Sequence, residues 1–272
     1  MKILITGSNG FLGRNISSEL KKKHEVYQPS SAKLDFTNSN IVDNYFKDNF
    51  FDLVIHCAII GGRRLVSDSP ETTYKNLKMF FNIMRNKDSF SNLINFSSGA
   101  EFDRHTIIDD KSNNLFDSFP LDYYGMSKNI ISRIIKNYPY FNLRLYGVFG
   151  SNEDDDRFIK MCINKCKSSQ KLVINNDKFF DFFYVNDLIE ILKQIISGKL
   201  KLNNHSLDLV YHDKLKLSQI ASFVNELSGN RSELLIEGYS SNSYTGTYNS
   251  KLDNLNLTGL KEGIKEVFLK EK

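Results

Sequence analysis

The stretch Lys2–Gly13, with the sequence KILITGSNGFLG, decides the fold class of this chain of 272 residues. It opens with an apolar run of strand length, Lys2–Thr6, and from Leu12 onward apolar residues recur at helical spacing, so that we expect the helix to continue through Lys23. Gly7, Gly10 and Gly13 lie between these segments, where glycines permit a tight turn and a close approach of the backbone to a pyrophosphate. The stretch therefore predicts a strand, a phosphate-binding turn and a helix, in that order.

Strand and helix signals continue to alternate after this opening. Short apolar runs that are typical of buried parallel strands lie at Glu25–Tyr27, Leu53–Cys57, Leu93–Ser97 and Phe141–Tyr146. Amphipathic stretches between them lie at Ser39–Lys47, Thr72–Arg85 and Gly125–Lys136. The alternation predicts an α/β fold with a doubly wound parallel sheet (Rossmann) and right-handed crossovers.

The pattern changes after Gly150, where strands and helices become shorter. Candidate elements there are a helix that begins near the acidic cluster Glu153–Asp156 and ends near Lys167, a strand at Leu172–Ile174, an aromatic run at Phe179–Val185, and helices at Asp187–Ile196, Ser218–Leu227 and Leu260–Lys270. We predict a dinucleotide-binding domain of residues 1–146 and about 178–197, and a smaller interleaved α/β substrate lobe of about 147–177 and 198–272.

Composition and charge exclude several classes of protein. Apolar residues make up 40% and charged residues 25% of the chain, as in globular proteins. The net charge of +4 comes without a stripe of basic and aromatic residues, so we expect no nucleic-acid partner. Neither a membrane span nor a signal peptide is recognisable, so we expect no membrane association and a cytoplasmic location. Three cysteines without ligand-spaced histidines suit a reduced compartment and predict no metal site.

The residues after the second strand bear on which dinucleotide is bound. An acidic residue about 20 positions after the glycine turn would accept hydrogen bonds from a ribose 2′-hydroxyl and repel a 2′-phosphate. Here no carboxylate follows Tyr27 until Asp35. Side chains that suit a phosphate are found instead, at Arg14, Ser30, Ser31 and Lys33. We therefore expect NADP, with NAD as the alternative.

Tyr124 and Lys128 have the spacing of two side chains on one face of a helix. An unperturbed tyrosine, with a pKa of about 10, exchanges protons poorly near neutrality. A neighbouring ammonium favours the phenolate and lowers that pKa, so the tyrosine can exchange a proton with an alkoxide or an alcohol. Ser98 ends an apolar strand upstream and supplies a hydroxyl for the same oxygen. The three residues predict a site for hydride and proton transfer.

The glycine turn, the serine and the tyrosine–lysine pair together resemble those of the extended short-chain dehydrogenase/reductases. This is the NAD-dependent epimerase/dehydratase family of nucleotide-sugar epimerases, dehydratases and reductases. The resemblance covers most of the chain. The matching motifs, in the order of the family, are Thr6–Gly13, Leu34–Phe36, Val54–Ala58, Asn76, Phe96–Phe102, Tyr124 with Lys128, Leu143–Gly150 and Asp181–Asp187.

The resemblance implies a set of site residues. The catalytic residues would be Ser98, Tyr124 and Lys128. Residues expected to contact the cofactor are Gly7, Asn9, Gly10, Phe11, Leu12, Gly13, Arg14, Ser30, Ser31, Lys33, Asp35, Phe36, Cys57, Ala58, Ile59, Asn76, Phe96, Tyr124 and Lys128. Those expected to contact the substrate are Gly61, Gly99, Ala100, Glu101, Gly147 and Val148. Family members pair helices such as Thr72–Arg85 and Gly125–Lys136 across a two-fold axis, so we expect a homodimer.

Departures from the family motifs narrow the expected activity. The 4,6-dehydratases follow the catalytic hydroxyl with Asp-Glu, whereas here Gly99 and Ala100 follow Ser98. The epimerase/reductases similar to GDP-fucose synthase place a cysteine where this chain has Ala100. Gly147 replaces a usual asparagine, and Phe180 replaces an arginine that often precedes the Asp-Phe pair. Because of Gly99 and Ala100, neither water elimination nor 3,5-epimerisation is expected.

The remaining residues suit hydride transfer at a sugar carbon. We expect an NADPH-dependent reductase of a nucleotide-activated 4-keto-6-deoxyhexose, active in deoxysugar and polysaccharide or lipopolysaccharide synthesis, with Tyr124 as proton donor. The alternative within the family is a nucleotide-sugar 4-epimerase that retains NAD. A third possibility, from another class, is a regulator that senses NAD(P) without turning over, although such a protein has no need of all three catalytic residues.

Overall fold

A computed structural model describes residues 1–63, 66–108, 114–202 and 206–271. In chain order, the helices and strands are β1 (Lys2–Thr6), α1 (Phe11–Leu20), β2 (Glu25–Tyr27), α2 (Ser39–Lys47), β3 (Phe51–His56), α3 (Pro70–Met84), β4 (Phe90–Ser98), α4 (Tyr123–Ile135), β5 (Phe141–Leu145), β6 (Val148–Phe149), α5 (Phe158–Lys167), β7 (Leu172–Ile174), β8 (Phe183–Tyr184), α6 (Val185–Ile196), β9 (Ser206–Asp208), α7 (Leu217–Leu227), β10 (Leu234–Ile236) and α8 (Leu260–Lys270). Short 3-10 turns lie at Lys87–Ser89, Gly99–Glu101 and Ser250–Asn254.

The central sheet has six strands in the order β2-β1-β3-β4-β5-β9. The pairs β1–β2, β1–β3 and β3–β4 are parallel, with Thr6 opposite His56 and His56 opposite Asn95. Strand β1 lies between β2 and β3, so the connection that leaves β1 for β2 and the one that leaves β3 for β4 run in opposite directions along the sheet. The carboxyl ends of β1 and β3 therefore form a topological switch point, where open α/β sheets bind ligands. The predicted fold class is confirmed.

Strands β1, β3 and β4 of this sheet are buried on both faces, which explains their long apolar runs. Ile3, Leu4 and Ile5 of β1 have no exposed area, and neither do Leu93 and Ile94 of β4. One core cluster joins Leu4 and Leu93 to residues of three helices, namely Val42 and Phe46 of α2, Phe80 and Ile83 of α3, and Ile131 and Ile135 of α4.

Polar residues begin the helices that flank the sheet. The Asn38 side chain accepts the Ile41 N–H at 3.3 Å before α2, and the Asp122 side chain accepts the Gly125 N–H at 2.7 Å before α4. Such caps satisfy the N–H groups that have no partner in the first helical turn. Pro70 at the start of α3 fits there because that position needs no N–H donor.

The chain forms two compact units. Of the described residues, the first unit contains those in 1–102, 114–144 and 202–207, and the second contains those in 103–108, 145–201 and 208–271. The first unit contains most of residues 1–146, and the assignment of these residues to a dinucleotide-binding domain stays a prediction. Helix α6, which we assigned to that domain, groups with the second unit.

The second unit contains two small parallel strand pairs, β6–β8 and β7–β10, with helices α5 to α8. Its elements differ in detail from the expectation. Helix α5 begins at Phe158 with no acidic residue in its first turn, so the cluster Glu153–Asp156 precedes the helix. The aromatic run yields only the short strand β8, and α6 begins at Val185 directly after it. Among the described helices, none has the length and apolarity to cross a bilayer.

Candidate active site

The glycine turn between β1 and α1 forms a cradle of bare backbone. Gly7 has a φ of +63°, and a Cβ there would lie 2.6 Å from the Ala58 nitrogen. A Cβ on Gly13 would lie 2.3 Å from the carbonyl oxygen of Gly7. The Gly10 N–H donates to that same oxygen at 3.0 Å. Because side chains at 7 and 13 would collide with backbone atoms, this turn fits the predicted pyrophosphate site at the helix N-terminus.

Thr6 joins the ends of the two strands that border the cradle. Its Oγ1 accepts the Ala58 N–H at 3.0 Å and lies 2.9 Å from Nδ1 of His56. Burial, together with the smaller effect of the Lys128 ammonium, lowers the pKa of His56 to about 3. His56 is therefore neutral at physiological pH, and it serves as a hydrogen-bonded core residue.

The segment Ala58–Gly62, which we call the β3 loop, follows β3 and is held by two side chains of later residues. The amide of Asn76 in α3 accepts the Ile60 N–H and donates to the Ile60 carbonyl, both at 2.9 Å. The carboxylate of Asp68 accepts the Gly62 N–H at 3.2 Å with each oxygen. Asn76 also donates to Ser127 at 3.1 Å, so we propose that it shapes the loop beside the cofactor site.

Tyr124 lies in the first turn of α4, with its ring against the β3 loop. A Cβ on Gly62, whose φ is +70°, would lie 2.8 Å from both Cε2 and Cζ of the Tyr124 ring. A Cβ on Gly125 would lie 2.4 Å from the Ala100 carbonyl oxygen, so only glycine lets α4 approach the turn after Ser98 this closely. The ring of Tyr124 is half-buried, which leaves part of it accessible to a ligand.

Lys128 lies one turn further along α4 and is buried, with 5% of its area exposed. Its ammonium donates to the Phe96 carbonyl in β4 at 2.6 Å and lies 5.7 Å from the centre of the Tyr124 ring. Burial lowers the pKa of Lys128 to about 8, while Glu101 and Cys57 oppose that change. The ammonium thus remains charged at neutral pH beside the phenol, where its charge favours the phenolate and so proton exchange.

Ser98 ends β4, the strand whose Phe96 carbonyl accepts from Lys128. It is 7% exposed, and its Oγ accepts the Ala100 N–H at 3.2 Å in the 3-10 turn Gly99–Glu101. Gly99 and Ala100 are buried in this turn. The nearby thiol of Cys57 has its pKa raised to about 12 by burial, so it stays protonated.

Glu101 differs from the expectation, because it does not face a ligand site. It has no exposed area, and its carboxylate binds Arg144 of β5 with Nε–Oε1 at 2.6 Å. Ser97 and Ser132 donate to its other oxygen. We therefore leave Glu101 out of the residues that we propose to contact the substrate.

The residues expected at the adenosine end of the cofactor differ in exposure. Arg14, Ser31 and Lys33 are exposed and Ser30 is half-buried. The carboxylate of Asp35 accepts the N–H and the hydroxyl of Thr37, each at 2.8 Å. Phe36 is 5% exposed and packs in the core, where its carbonyl accepts from Asn82 at 2.8 Å. At the turn itself, Asn9 is exposed, and Phe11, Leu12 and Ile59 retain part of their exposure.

The two substrate-lobe candidates lie in the second unit. Val148 is a half-buried residue of β6. A Cβ on Gly147 would lie 2.7 Å from the Phe182 ring and 3.1 Å from the Phe180 ring. Phe180 and Phe182 stack with their centres 4.6 Å apart, so the glycine that replaces the usual asparagine is explained by this aromatic packing.

Three residues that shape the site were not singled out from the sequence. Gly62 and Gly125 are glycines at close contacts. The only local signals in the sequence were Gly61, which precedes Gly62, and Tyr124, which precedes Gly125. Asp68 lies in a segment with no motif, and only its hydrogen bonds to the Gly62 N–H identify it.

Comparisons with known proteins identify the family of this chain. A model of the NAD dependent epimerase/dehydratase family matches residues 3–205. The CDP-abequose synthase of Yersinia pseudotuberculosis is 25% identical over 258 residues, which cover 86% of this chain and 87% of that protein. The GDP-6-deoxy-D-talose 4-dehydrogenase of Aggregatibacter actinomycetemcomitans is 26% identical over 249 residues, with coverages of 86% and 82%.

A solved structure has the same fold. MlghC, a GDP-mannoheptose C4 reductase from Campylobacter jejuni with NADP bound, superposes with a TM-score of 0.80 over 98% of this chain and 97% of that one, at 16% identity. The predicted family resemblance and the prediction of an NAD(P)-dependent enzyme are confirmed, since the family match spans most of the chain.

Proposed function

Because the chain belongs to the NAD dependent epimerase/dehydratase family, we propose that it is an NADPH-dependent reductase of a nucleotide-activated 4-keto-6-deoxyhexose. The main support is the position of the Lys128 ammonium, which is buried 5.7 Å from the centre of the half-exposed Tyr124 ring. The named activities of the relatives, all on nucleotide sugars, favour the same substrate class.

The residues of the chain have separate roles in this reaction. The glycine cradle of Gly7, Gly10 and Gly13 would hold the cofactor, which would supply the hydride for C4 of the sugar. Tyr124 gives its phenolic proton to the carbonyl oxygen as that oxygen becomes an alkoxide. Ser98 donates a hydrogen bond to the same oxygen and polarises the carbonyl. Lys128 stabilises the phenolate that remains, and two of its three protons are left after the bond to Phe96 for a ribose hydroxyl.

We propose NADPH as the physiological reductant. Arg14, Ser31 and Lys33 are exposed near the turn and suit a 2′-phosphate. The nearest carboxylate after β2, that of Asp35, caps the turn at Thr37. We also propose that the protein is a cytoplasmic homodimer, with α3 and α4 at the interface.

The function is tested with a panel of 4-keto-6-deoxy sugars linked to dTDP, CDP, GDP or UDP, each with NADPH and with NADH. We expect stoichiometric NADPH oxidation and a 4-hydroxy product by NMR for at least one substrate. A product formed without net NADPH consumption would favour the 4-epimerase, and a water-elimination product would contradict the role that we give Gly99 and Ala100. Tyr124→Phe is expected to lower kcat by about 1,000-fold with little change in the Kd for NADPH.

A further inference from the structure

One charged group beside the candidate active site has no part in the proposed reaction. Glu101, in the turn after Ser98, has no exposed area. Its Oε1 accepts from Nε and Nη2 of Arg144 at 2.6 and 2.5 Å. Its Oε2 accepts from the hydroxyls of Ser97 and Ser132, the latter at 2.5 Å. Both oxygens of this carboxylate are thus bound by protein groups.

The partners of Glu101 belong to the elements that position the reacting residues. Ser97 precedes Ser98 in β4, and Ser132 lies one turn after Lys128 in α4. Asn129, next to Lys128, donates to the Glu101 carbonyl at 2.8 Å. One residue therefore connects the strand that ends in Ser98, the helix that begins with the Tyr124 turn, and β5.

Stability does not explain why a charge pair occupies this place. Removing two charges from water costs several kcal/mol per ion, and well-packed apolar residues of similar volume often give equal or greater stability. Apolar contacts do not fix the orientation of the groups that they join. A carboxylate that accepts from four donors holds those donors in one geometry. Precise placement matters here, because a shift of about 1 Å between reacting groups can cost about 100-fold in rate.

We propose that Glu101, together with Arg144, is a positioning residue that fixes Ser98 relative to Tyr124 and Lys128. Its action on the reaction passes through these residues, since it has no exposed surface for a ligand. The kinetic part of this inference depends on the proposed reductase function, and the structural part does not.

The test is the double variant Glu101→Met/Arg144→Met, which replaces both charges by apolar side chains of similar length. We expect a Tm close to that of the wild type, unchanged Kd for NADPH and KM for the ketone, and a fall in kcat of about 30-fold. Crystal structures of the wild type and the variant, both with NADP, are expected to differ in the separation between Ser98 Oγ and Tyr124 Oη.

Tyr211→Phe is the matched control. Its hydroxyl donates to the buried Asp187 at 2.5 Å in the second unit, so its loss removes a buried bond to a carboxylate without touching β4 or α4. We expect a lower Tm and an unchanged kcat per folded molecule. If a loss of stability alone lowered kcat, this control would show it.

A double variant with wild-type kcat, or with the same separation of Ser98 and Tyr124, overturns the proposal. If the double variant does not fold, Ser132→Ala replaces it, because that change removes one of the four donors and leaves the ion pair. Its kcat should fall about fivefold at unchanged KM, and an unchanged kcat overturns the proposal. If no ketone of the panel consumes NADPH with the wild type, the reductase function fails, and the crystal structures still decide the positioning role.

Discussion

Two glycine-containing segments of the first unit follow neighbouring strands, and they are held in different ways. The turn Gly7–Gly13 after β1 is fixed by its own backbone, with the Gly10 N–H bonded to the Gly7 carbonyl. The β3 loop, Ala58–Gly62, is fixed by the side chains of Asp68 and Asn76. The conformation of the turn is therefore defined by its local sequence, while that of the β3 loop depends on residues further along the chain.

The largest effect is expected at the turn. In Gly13→Ala the new Cβ would lie 2.3 Å from a backbone oxygen, so α1 must move away from the turn. We expect the Kd for NADPH to rise about 100-fold or more, equivalent to about 2.7 kcal/mol, and the Tm to fall. Isothermal titration and thermal unfolding measure both quantities.

Gly10→Ala provides the comparison within the same turn. Its Cβ would lie 3.3 Å from the Gly7 oxygen, a contact that a small adjustment relieves. The Tm should therefore remain near that of the wild type, while NADPH binding weakens because the methyl group occupies the approach to the pyrophosphate. Equal losses of stability in the two variants would contradict the roles assigned to the two glycines.

A methyl group in the β3 loop should affect the reaction more than cofactor binding. In Gly62→Ala the Cβ would lie 2.8 Å from the Tyr124 ring, at a φ of +70°. We expect kcat to fall about 30-fold with the Kd for NADPH changed by less than about threefold, because the displaced ring is the proposed proton donor. Stopped-flow reduction at saturating substrate and NADPH binding measure the two effects.

Gly198→Ala separates backbone strain from the collision. Gly198 has a φ of +71°, nearly that of Gly62, but a Cβ there would have no atom within 4 Å. This variant should lose about 1 kcal/mol of stability and keep the wild-type kcat. If it lost kcat as Gly62→Ala does, strain alone would account for the effect.

The contrast between the two segments also describes how far the sequence predicts the structure. The strand-turn-helix of residues 2–20 is predictable because periodicity and glycine spacing act over a few residues. The ends of β1, β2 and α2 agree with the prediction for the same reason. That Ser98 and Tyr124 act in one site stays a prediction, made from the residues themselves and from the family resemblance.

What the sequence did not predict depends on long-range contacts. Nothing near Asp68 indicates that it holds the Gly62 N–H, and nothing near Glu101 indicates the ion pair with Arg144 of β5. Glu101 lies three residues after Ser98, the proposed catalytic serine, so we placed it with the substrate contacts. Its burial depends on β5, which is 40 residues away along the chain, and local pattern does not contain that information.

An alkaline limit to the rate is expected from Lys128, whose buried side chain lies beside the ring that Gly62 contacts. Burial lowers its pKa to about 8, so the ammonium is charged below that pH and neutral above it. The kcat for reduction should fall by up to about tenfold per pH unit above pH 8, as the phenolate loses its stabilising charge. His56 and Cys57, with pKa values of about 3 and about 12, do not titrate in this range.

Lys128→Arg checks the assignment of this limit. An arginine stays protonated throughout the accessible pH range, so the alkaline fall should disappear even if the absolute rate is lower. A rate that falls at the same pH in this variant would assign the titration to another group.

Removing the support of the β3 loop should have a moderate effect. Asp68→Ala leaves the Gly62 N–H without its acceptor, and the loop is then free to move from the Tyr124 ring. We expect kcat to fall about tenfold, in line with the loss of a hydrogen bond to a charged acceptor. Asp68→Asn retains one acceptor oxygen and should remain within about threefold of the wild type. Equal kcat values for the alanine variant and the wild type would mean that the loop does not need Asp68.

The smallest effect is expected where the two segments are joined. Thr6→Val keeps the shape of the side chain but removes the hydroxyl that accepts the Ala58 N–H at 3.0 Å and contacts His56 at 2.9 Å. The free energy of unfolding should fall by about 1–3 kcal/mol, because a buried N–H loses its acceptor, and Thr6→Ser should retain most of it. Urea denaturation measures both. Since the turn is fixed by its own backbone and the loop by Asp68 and Asn76, NADPH affinity and kcat should hardly change. A loss of NADPH affinity comparable to that of Gly13→Ala would mean that the turn and the loop form one unit joined through Thr6, and the distinction between them would be lost.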